Sequence, residues 1–237
     1  MKKGSKKLLW VFLSVALIAA ASIPVLNLHN EKIATGLNVN NDKLVIVDAG
    51  HGGFDGGAVA PDGTVEKDIN LEISTVLSEI LAFHGYDVIM TRSTDTGTED
   101  DLTKPIQTRK VSDLKNRLAL MNKYPDAVFV SIHLNKFTAS AAKGAQVFYS
   151  KNHPDSYTLG DSIQFTIKNK LQPDNTRVIK QGTKSTYLLY NAKIPAVIVE
   201  CGFISNSEEL QKLKDYKYKR QMAFAVFCGI NDFFGER

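Results

Sequence analysis

The stretch LVIVDAGHGG at positions 44–53 decides the fold of this chain. Its first four residues are apolar and mostly β-branched, which predicts a strand buried on both faces, as in a parallel sheet covered by helices. Glycines then crowd positions 50–57, a pattern typical of tight turns or of close approach by a ligand. His51 stands where the strand ends, at the kind of sheet edge where α/β proteins bind ligands.

A dinucleotide-binding turn is the first alternative for such a strand, because it too runs into glycines. The fingerprint fails at its third glycine, where the chain has Asp55, and a neutral imidazole contributes little to a phosphate site. Histidine is the commonest metal-binding side chain. The stretch therefore favours a metal site over a nucleotide site.

Strand and helix patterns alternate along the rest of the chain. The sequence predicts strands at 86–91, 127–133, 144–149 and 196–200, and helices at 67–83, 111–122, 159–171 and 216–234. The polar residues 92–108 are expected to form a long surface loop. This order predicts an α/β, three-layer fold, with a twisted, mainly parallel sheet of about six strands and helices on both faces.

Four polar residues occupy element ends that this fold brings to one edge. His51 and His133 end buried strands, Glu66 begins the helix after the first strand, and Glu200 follows the apolar residues 196–199. A catalytic zinc site uses three protein ligands and an unbound base, which two imidazoles and two carboxylates can provide. Ionised Glu200 would be costly at the end of an apolar strand unless it faced a cleft or a cation.

The N-terminal residues have the pattern of an export segment. Four lysines precede an uncharged, largely apolar run at positions 8–26. We predict that residues 1–26 are a signal peptide or an N-terminal membrane anchor, that 27–41 are a linker, and that 42–237 form one folded domain. Either form of the leader contacts the membrane, and its cleavage stays open.

Charge and cysteine content restrict the partners. Four of the 29 basic residues lie within residues 1–30, which contain no acid, so the remainder carries 25 basic and 25 acidic residues. This balance excludes the strongly basic surface typical of nucleic-acid binding. Cys201 and Cys228 are expected to be small buried hydrophobic residues in preference to a disulfide.

Several motifs together carry a resemblance to a known family. They are VDAGHGGFDGGA at 47–58, Glu66, TR at 91–92, SIHLN at 131–135 and PAVIVECGFISN at 195–206. These residues resemble the zinc-dependent N-acetylmuramoyl-L-alanine amidases of bacterial cell walls, and the resemblance runs from about Leu44 to the C-terminus. One departure is Tyr190, where the family commonly has arginine.

The resemblance implies roles for the four clustered residues. His51, Glu66 and His133 would bind Zn²⁺, and Glu200 would be the catalytic acid/base. Residues 42–237 would then be the catalytic domain of a peptidoglycan hydrolase that uses zinc-activated water. The bond cleaved would be the amide between N-acetylmuramic acid and L-alanine of the stem peptide.

The same resemblance implies a compartment and partners. A single catalytic domain behind a leader is similar to the germination-type members, which act on the spore cortex. We therefore expect an exported, extracytoplasmic protein, secreted or membrane-anchored, in the cell wall or the forespore and cortex compartment. Its partners would be glycan strands and stem peptides, without nucleic acid, and an accessory protein is compatible with this setting.

Two other functions fit some of these observations. A peptidoglycan sugar deacetylase also needs zinc and a carboxylate base. A non-catalytic wall-binding module on an inactive hydrolase fold is the alternative from a different class. Loss of any one of the four clustered residues would indicate the module, and all four are present.

Overall fold

Six strands form a single sheet at the centre of the structure, a computed structural model that describes residues 43–139 and 141–235. The strands are β1 (Leu44–Ala49), β2 (Asp87–Met90), β3 (Val128–Asn135), β4 (Gln146–Tyr149), β5 (Lys180–Gln181) and β6 (Ala196–Phe203). The helices are α1 (Glu66–Phe83), α2 (Ile106–Lys123), α3 (Asp155–Lys170), α4 (Tyr187–Asn191), α5 (Ser207–Lys214) and α6 (Tyr216–Gly235). The expected α/β class is confirmed.

The strand order is β2-β1-β3-β6-β4-β5. Strands β2, β1, β3 and β6 are parallel, β4 runs antiparallel to β6, and β5 is parallel to β4. The sheet is thus mainly parallel, as predicted. Because parallel strands share their carboxyl edge, the ends of β1 and β3 and the later part of β6 meet there.

Side chains alternate between two different faces of this sheet. One face carries apolar residues of β1, β3 and β6 and packs against α1, α3 and α6 in the main hydrophobic core. The other face carries Asp48, Ser131, His133 and Glu200 at alternating positions and is covered by α2 and α4. The polar residues of the site therefore lie on the face opposite the main core.

A buried ion pair fixes α2 onto this second face. The Arg117 guanidinium donates to the carboxylate of Asp48, which also accepts hydrogen bonds from Thr91 Oγ1 at 2.7 Å and Ser131 Oγ at 2.5 Å. Burial opposes ionisation of Asp48, but Arg117 and these hydroxyl groups outweigh it and lower the pKa of Asp48. The carboxylate is therefore charged in the folded protein.

Replacing Asp48 by asparagine is expected to lower the free energy of unfolding by about 3 kcal/mol near neutral pH, because a buried Arg117 loses its principal partner. The pKa of Asp48 is lower in the folded than in the unfolded protein. Its contribution to stability is therefore fully present above the unfolded value near 4 and declines as pH falls from there toward the folded pKa. Urea unfolding at pH 7 and pH 3.5 measures the difference in unfolding free energy between the wild type and the variant, which should be smaller at pH 3.5. An equal difference at both values would contradict this account.

The observed elements differ from the predicted ones mainly at their ends. Helix α2 begins at Ile106, directly after Pro105, and so shortens the loop that was expected to run to residue 108. The short elements β5, α4 and α5 were not predicted. Asn206 caps the N-terminus of helix α5, where its side chain accepts hydrogen bonds from the backbone N–H groups of Glu208 and Glu209, both at 3.0 Å.

Cysteine and leader predictions have different outcomes. Cys201 is buried, Cys228 is half-buried, and both are free thiols. The predicted leader at 1–26 and linker at 27–41 lie outside the described residues. Within the described part of the chain, no helix has the length and apolar character needed to cross a membrane.

Candidate metal centre

The turn after β1 has an unusual backbone that two buried arginines hold in place. His51 has a φ of 62°, in the left-handed region that non-glycine residues seldom adopt. Arg92 donates to the carbonyl oxygens of Ala49 and Gly50 at 2.9 and 3.1 Å. Arg117 donates to the carbonyl of His51 at 2.8 Å. These contacts determine where the His51 imidazole points.

Gly50 makes room for the second imidazole. A Cβ atom at this position would overlap the ring of His133, the residue beside it on β3. Gly57 has a φ of 69°, and a Cβ there would lie 2.6 Å from Glu66 Oε2 and 2.6 Å from His51 Cδ2. Only glycine therefore leaves enough space at these two positions.

His51, Glu66 and His133 come together in one cluster. Glu66 Oε1 lies 3.3 Å from His51 Nε2 and 3.1 Å from His133 Nδ1. One potential ligand atom from each residue falls within 4.8 Å of the others. The two imidazole rings are edge to face, with centroids 4.8 Å apart. The three side chains therefore point at a common volume.

Further hydrogen bonds orient these three side chains. Asp55 Oδ2 lies 2.9 Å from His51 Nδ1, and Lys110 Nζ lies 2.9 Å from Asp55 Oδ1. When Nδ1 carries the proton toward Asp55, the lone pair of His51 Nε2 faces the cluster. Glu66 accepts from the backbone N–H groups of Ala58 at 2.7 Å and Leu134 at 3.0 Å.

Charges within the cluster shift the pKa values of its members. Burial disfavours charge on Glu66, but hydrogen bonds from His133 and His51 outweigh it and lower the pKa of Glu66 well below its usual range. Burial also disfavours charge on His51, yet its contacts with Asp55 and Glu66 raise the pKa of His51 to about 9. The site thus attracts positive charge, and a metal ion would displace the proton on His51.

Glu200 lies beside the cluster without belonging to it. It pairs in register with His133 on β3, so the two side chains are neighbours on the same sheet face. Its Oε2 atom is buried and has no hydrogen-bond partner among the described residues. Burial raises the pKa of Glu200 to about 7, Glu66 adds to the rise, and both histidines oppose it. Glu200 therefore exchanges protons near neutral pH.

The donor set fits a zinc ion. Two imidazole nitrogens and one carboxylate oxygen are the ligands of many catalytic zinc sites, which keep a fourth position open. Tetrahedral ligands at zinc distances are separated by roughly 3.3 Å, and Glu66 Oε1 lies 3.3 and 3.1 Å from the two histidine nitrogens. The two separations that Glu66 makes with the histidines therefore match those of a zinc site.

The structure brings together all four residues singled out in the sequence. The pattern did not indicate Asp55, Arg117 or Gln146 as neighbours, because each depends on a tertiary contact. Tyr190 belongs to α4, which precedes β6, and its carbonyl accepts a hydrogen bond from the Asn152 side chain at 2.7 Å. Its ring centroid lies 5.7 Å from Lys151 Nζ, just after β4 and hence near the amino end of β6, away from the cluster.

Replacing Gly50 by alanine is expected to weaken metal binding at least about tenfold, because the new Cβ displaces the His133 imidazole. Metal affinity in competition with a chelator measures the effect. Gly235→Ala is the control, since a Cβ at Gly235 meets no atom within 4 Å and its backbone, like that of Gly50, is outside the left-handed region. Equal metal affinity in both variants would contradict the crowding argument.

Comparisons with known proteins agree with this geometry. Residues 45–232 match the profile of a family described as N-acetylmuramoyl-L-alanine amidase. The chain is 35% identical over 195 residues to a germination-specific N-acetylmuramoyl-L-alanine amidase of Bacillus subtilis, a match that covers 82% of this chain and 81% of that protein.

Solved structures give the same result. The CwlD amidase from Clostridioides difficile, in complex with the GerS lipoprotein, matches with a TM-score of 0.79 and 39% identity, covering 82% of this chain and 100% of that one. A second amidase, from Clostridium difficile 630, matches with a TM-score of 0.72 and 29% identity over 84% of this chain and 100% of that one.

Proposed function

Because the chain belongs to the N-acetylmuramoyl-L-alanine amidase family, we propose that His51, Glu66 and His133 hold a zinc ion and that Glu200 is its acid/base. The chain is a peptidoglycan hydrolase of the amidase type, which acts in cell-wall or spore-cortex processing. The observation that carries the assignment is the buried, unpartnered oxygen of Glu200 beside a cluster of three metal-binding side chains.

Each member of the cluster has a distinct task. When bound, zinc supplies a Lewis acid that polarises a carbonyl and lowers the pKa of water. His51 is held by Asp55, and Glu66 by the backbone of Ala58 and Leu134, so these ligands are already oriented before the ion arrives. Such orientation reduces the cost of assembling the site.

Glu200 moves the proton. In its ionised form it accepts a proton from the attacking water, and it returns that proton to the amine of L-alanine as the amide bond breaks. Burial raises the pKa of Glu200 above that of an ordinary carboxyl, which makes it a stronger proton acceptor. Its burial keeps the transfer away from bulk solvent.

The glycine-rich turn packs closely against the loop that follows β2. A Cβ atom at Gly52 would overlap the carbonyl oxygen of Thr96, and one at Gly53 would lie 2.9 Å from the nitrogen of Gly97, so these glycines let the two segments touch. At the carboxyl edge of the second sheet face, His51 and His133 keep 24% and 21% of their side chains exposed, so the cluster is reachable from solvent. A glycan strand can approach the cluster from this side.

The germination-specific relative supports a place in the spore cortex. We propose that the chain is exported, by a leader at residues 1–26 that is either cleaved or retained as an anchor. The CwlD amidase forms a complex with the GerS lipoprotein, and we propose that this chain likewise acts with an accessory protein.

Mass spectrometry of peptidoglycan after incubation with the protein and zinc tests the proposed reaction. A new alanine amino terminus, with intact acetyl groups on the sugars, is the expected product. Free acetate would instead identify a deacetylase, and tight binding to the wall without cleavage would identify a binding module. Omitting zinc from chelator-treated protein should remove the activity.

A further inference from the structure

A cationic groove lies next to Glu200, on the side away from His133. Gln146 of β4 pairs in register with Glu200, and directly opposed residues in a sheet project from the same face. His133, Glu200 and Gln146 therefore form one row across three strands. Beyond Gln146 is an open groove of about 460 Å³ whose lining includes Lys143, Arg177 and Lys180.

The guanidinium of Arg177 is held rigidly in this groove. Its Nε donates to the carbonyl of Lys143 at 2.8 Å, and its Nη1 donates to Gln146 Oε1 at 3.0 Å. Its carbon Cζ lies 4.6 Å from the centroid of the Phe203 ring. These contacts occupy Nε and Nη1 and leave Nη2 without a protein partner in the described residues. An arginine fixed in this way is ready to bind a planar anion.

The positive charge of this groove is not compensated. Within the described part of the chain, no carboxylate forms an ion pair with Lys143, Arg177 or Lys180, and the three lie together along one groove. Gln146 is buried, and its own N–H group donates to the carbonyl of Val178 at 2.7 Å, so it fixes the groove without neutralising it. The missing counter-charge is a reason to expect an anionic ligand.

We propose that Arg177 binds a carboxylate of the stem peptide, on the leaving-group side of the scissile amide. This inference rests on the amidase function proposed above. Neighbouring strands are about 4.8 Å apart, so the groove lies roughly 5–10 Å from Glu200. An L-alanine residue spans about 3.5 Å, and the free α-carboxylate of the glutamate that follows it in the stem peptide falls within that range. Arg177 thereby selects stem peptides whose second residue is acidic.

A matched pair of substrates tests the proposal. Both are disaccharide tripeptides, and they differ only in the α-carboxyl of the second residue, which is free in one and a carboxamide in the other. We expect the wild type to prefer the acid by about tenfold or more in kcat/KM, the value of one charge-assisted hydrogen bond. In Arg177→Gln the preference should disappear, because the rate falls for the acid and stays unchanged for the amide.

Two controls separate binding from structural damage. Lys217→Gln removes one exposed charge from α6, far along the chain from the groove, and should keep the wild-type preference. Zinc content should be equal in all three proteins. A wild-type preference below about twofold, or an equal loss on both substrates in Arg177→Gln, would overturn the proposal; the wild-type ratio decides even if the variant fails to fold.

A binding experiment makes the result independent of catalysis. The two leaving tripeptides, with free or amidated α-carboxyl, are titrated into the protein and followed by NMR. The acid should bind to the wild type about tenfold more tightly than the amide does. The two tripeptides should bind to Arg177→Gln with equal affinity. Equal wild-type affinities would refute the role of Arg177. Absence of hydrolysis together with this preference would instead refute only the proposed reaction.

Discussion

Replacing His133 by alanine is expected to abolish stoichiometric zinc binding and to lower amidase activity by at least about 10³-fold. The imidazole provides one of the three ligand atoms that share a volume 4.8 Å across. Its loss leaves only His51 and Glu66, and a catalytic zinc site normally requires three protein ligands. The metal lowers the activation barrier by several kcal/mol, and each 1.4 kcal/mol changes the rate by a factor of ten. Metal content by mass spectrometry and release of alanine termini measure the two losses.

His84→Ala is the matched control for this experiment. His84 is exposed at the C-terminal end of α1, where its Nδ1 lies 2.8 Å from the carbonyl of Ile80. Its removal should leave both zinc content and activity unchanged. Retention of one zinc per chain in both His51→Ala and His133→Ala would disprove the assigned ligand set.

The four principal site residues could be predicted because the fold itself brings them together. His51 lies two residues after β1, His133 lies two residues before the end of β3, Glu66 begins the helix that follows β1, and Glu200 lies late in β6. Apolar runs identify such strands, and the geometry of a parallel sheet places their carboxyl ends at one edge. No contact between distant residues had to be known, because each of the four residues lies close to the end of an element at that edge.

The supporting residues could not be found in this way. Asp55, Lys110 and Arg117 act through contacts between the turn after β1 and helix α2, which follows in the chain by about 50 residues. No local pattern specifies which face of α2 meets that turn. The ion pair of Asp48 could not be predicted either, because Asp48 lies inside an apolar run and its partner Arg117 was not apparent from the sequence.

The direction of strand β4 could not be predicted from the sequence either. The residues at 144–149 predicted a strand but gave no indication that it runs antiparallel to β6. That direction places Gln146 opposite Glu200, and hence the Arg177 groove beside Glu200. Short elements such as β5 and α4 lack the length for a periodic pattern, and tertiary packing determines them.

Replacing Glu200 by glutamine is expected to preserve the zinc ion and to lower activity by about 10²-fold or more. The amide has the shape of the carboxylate, so the cluster of His51, Glu66 and His133 stays intact. It cannot accept a proton from water, and positioned general bases typically contribute at least this factor. Zinc stoichiometry and kcat on peptidoglycan, measured on the same preparation, separate the two effects.

Glu208→Gln is the control, because Glu208 is an exposed carboxylate in the first turn of α5 and should not affect either measurement. Glu66→Gln provides the contrast, since it should lose zinc as well as activity. If Glu200→Gln loses zinc, Glu200 is a ligand and Glu66 becomes the candidate base. If it keeps both zinc and near-full activity, the raised pKa of Glu200 reflects burial alone, and another group carries the proton from water to the departing amine.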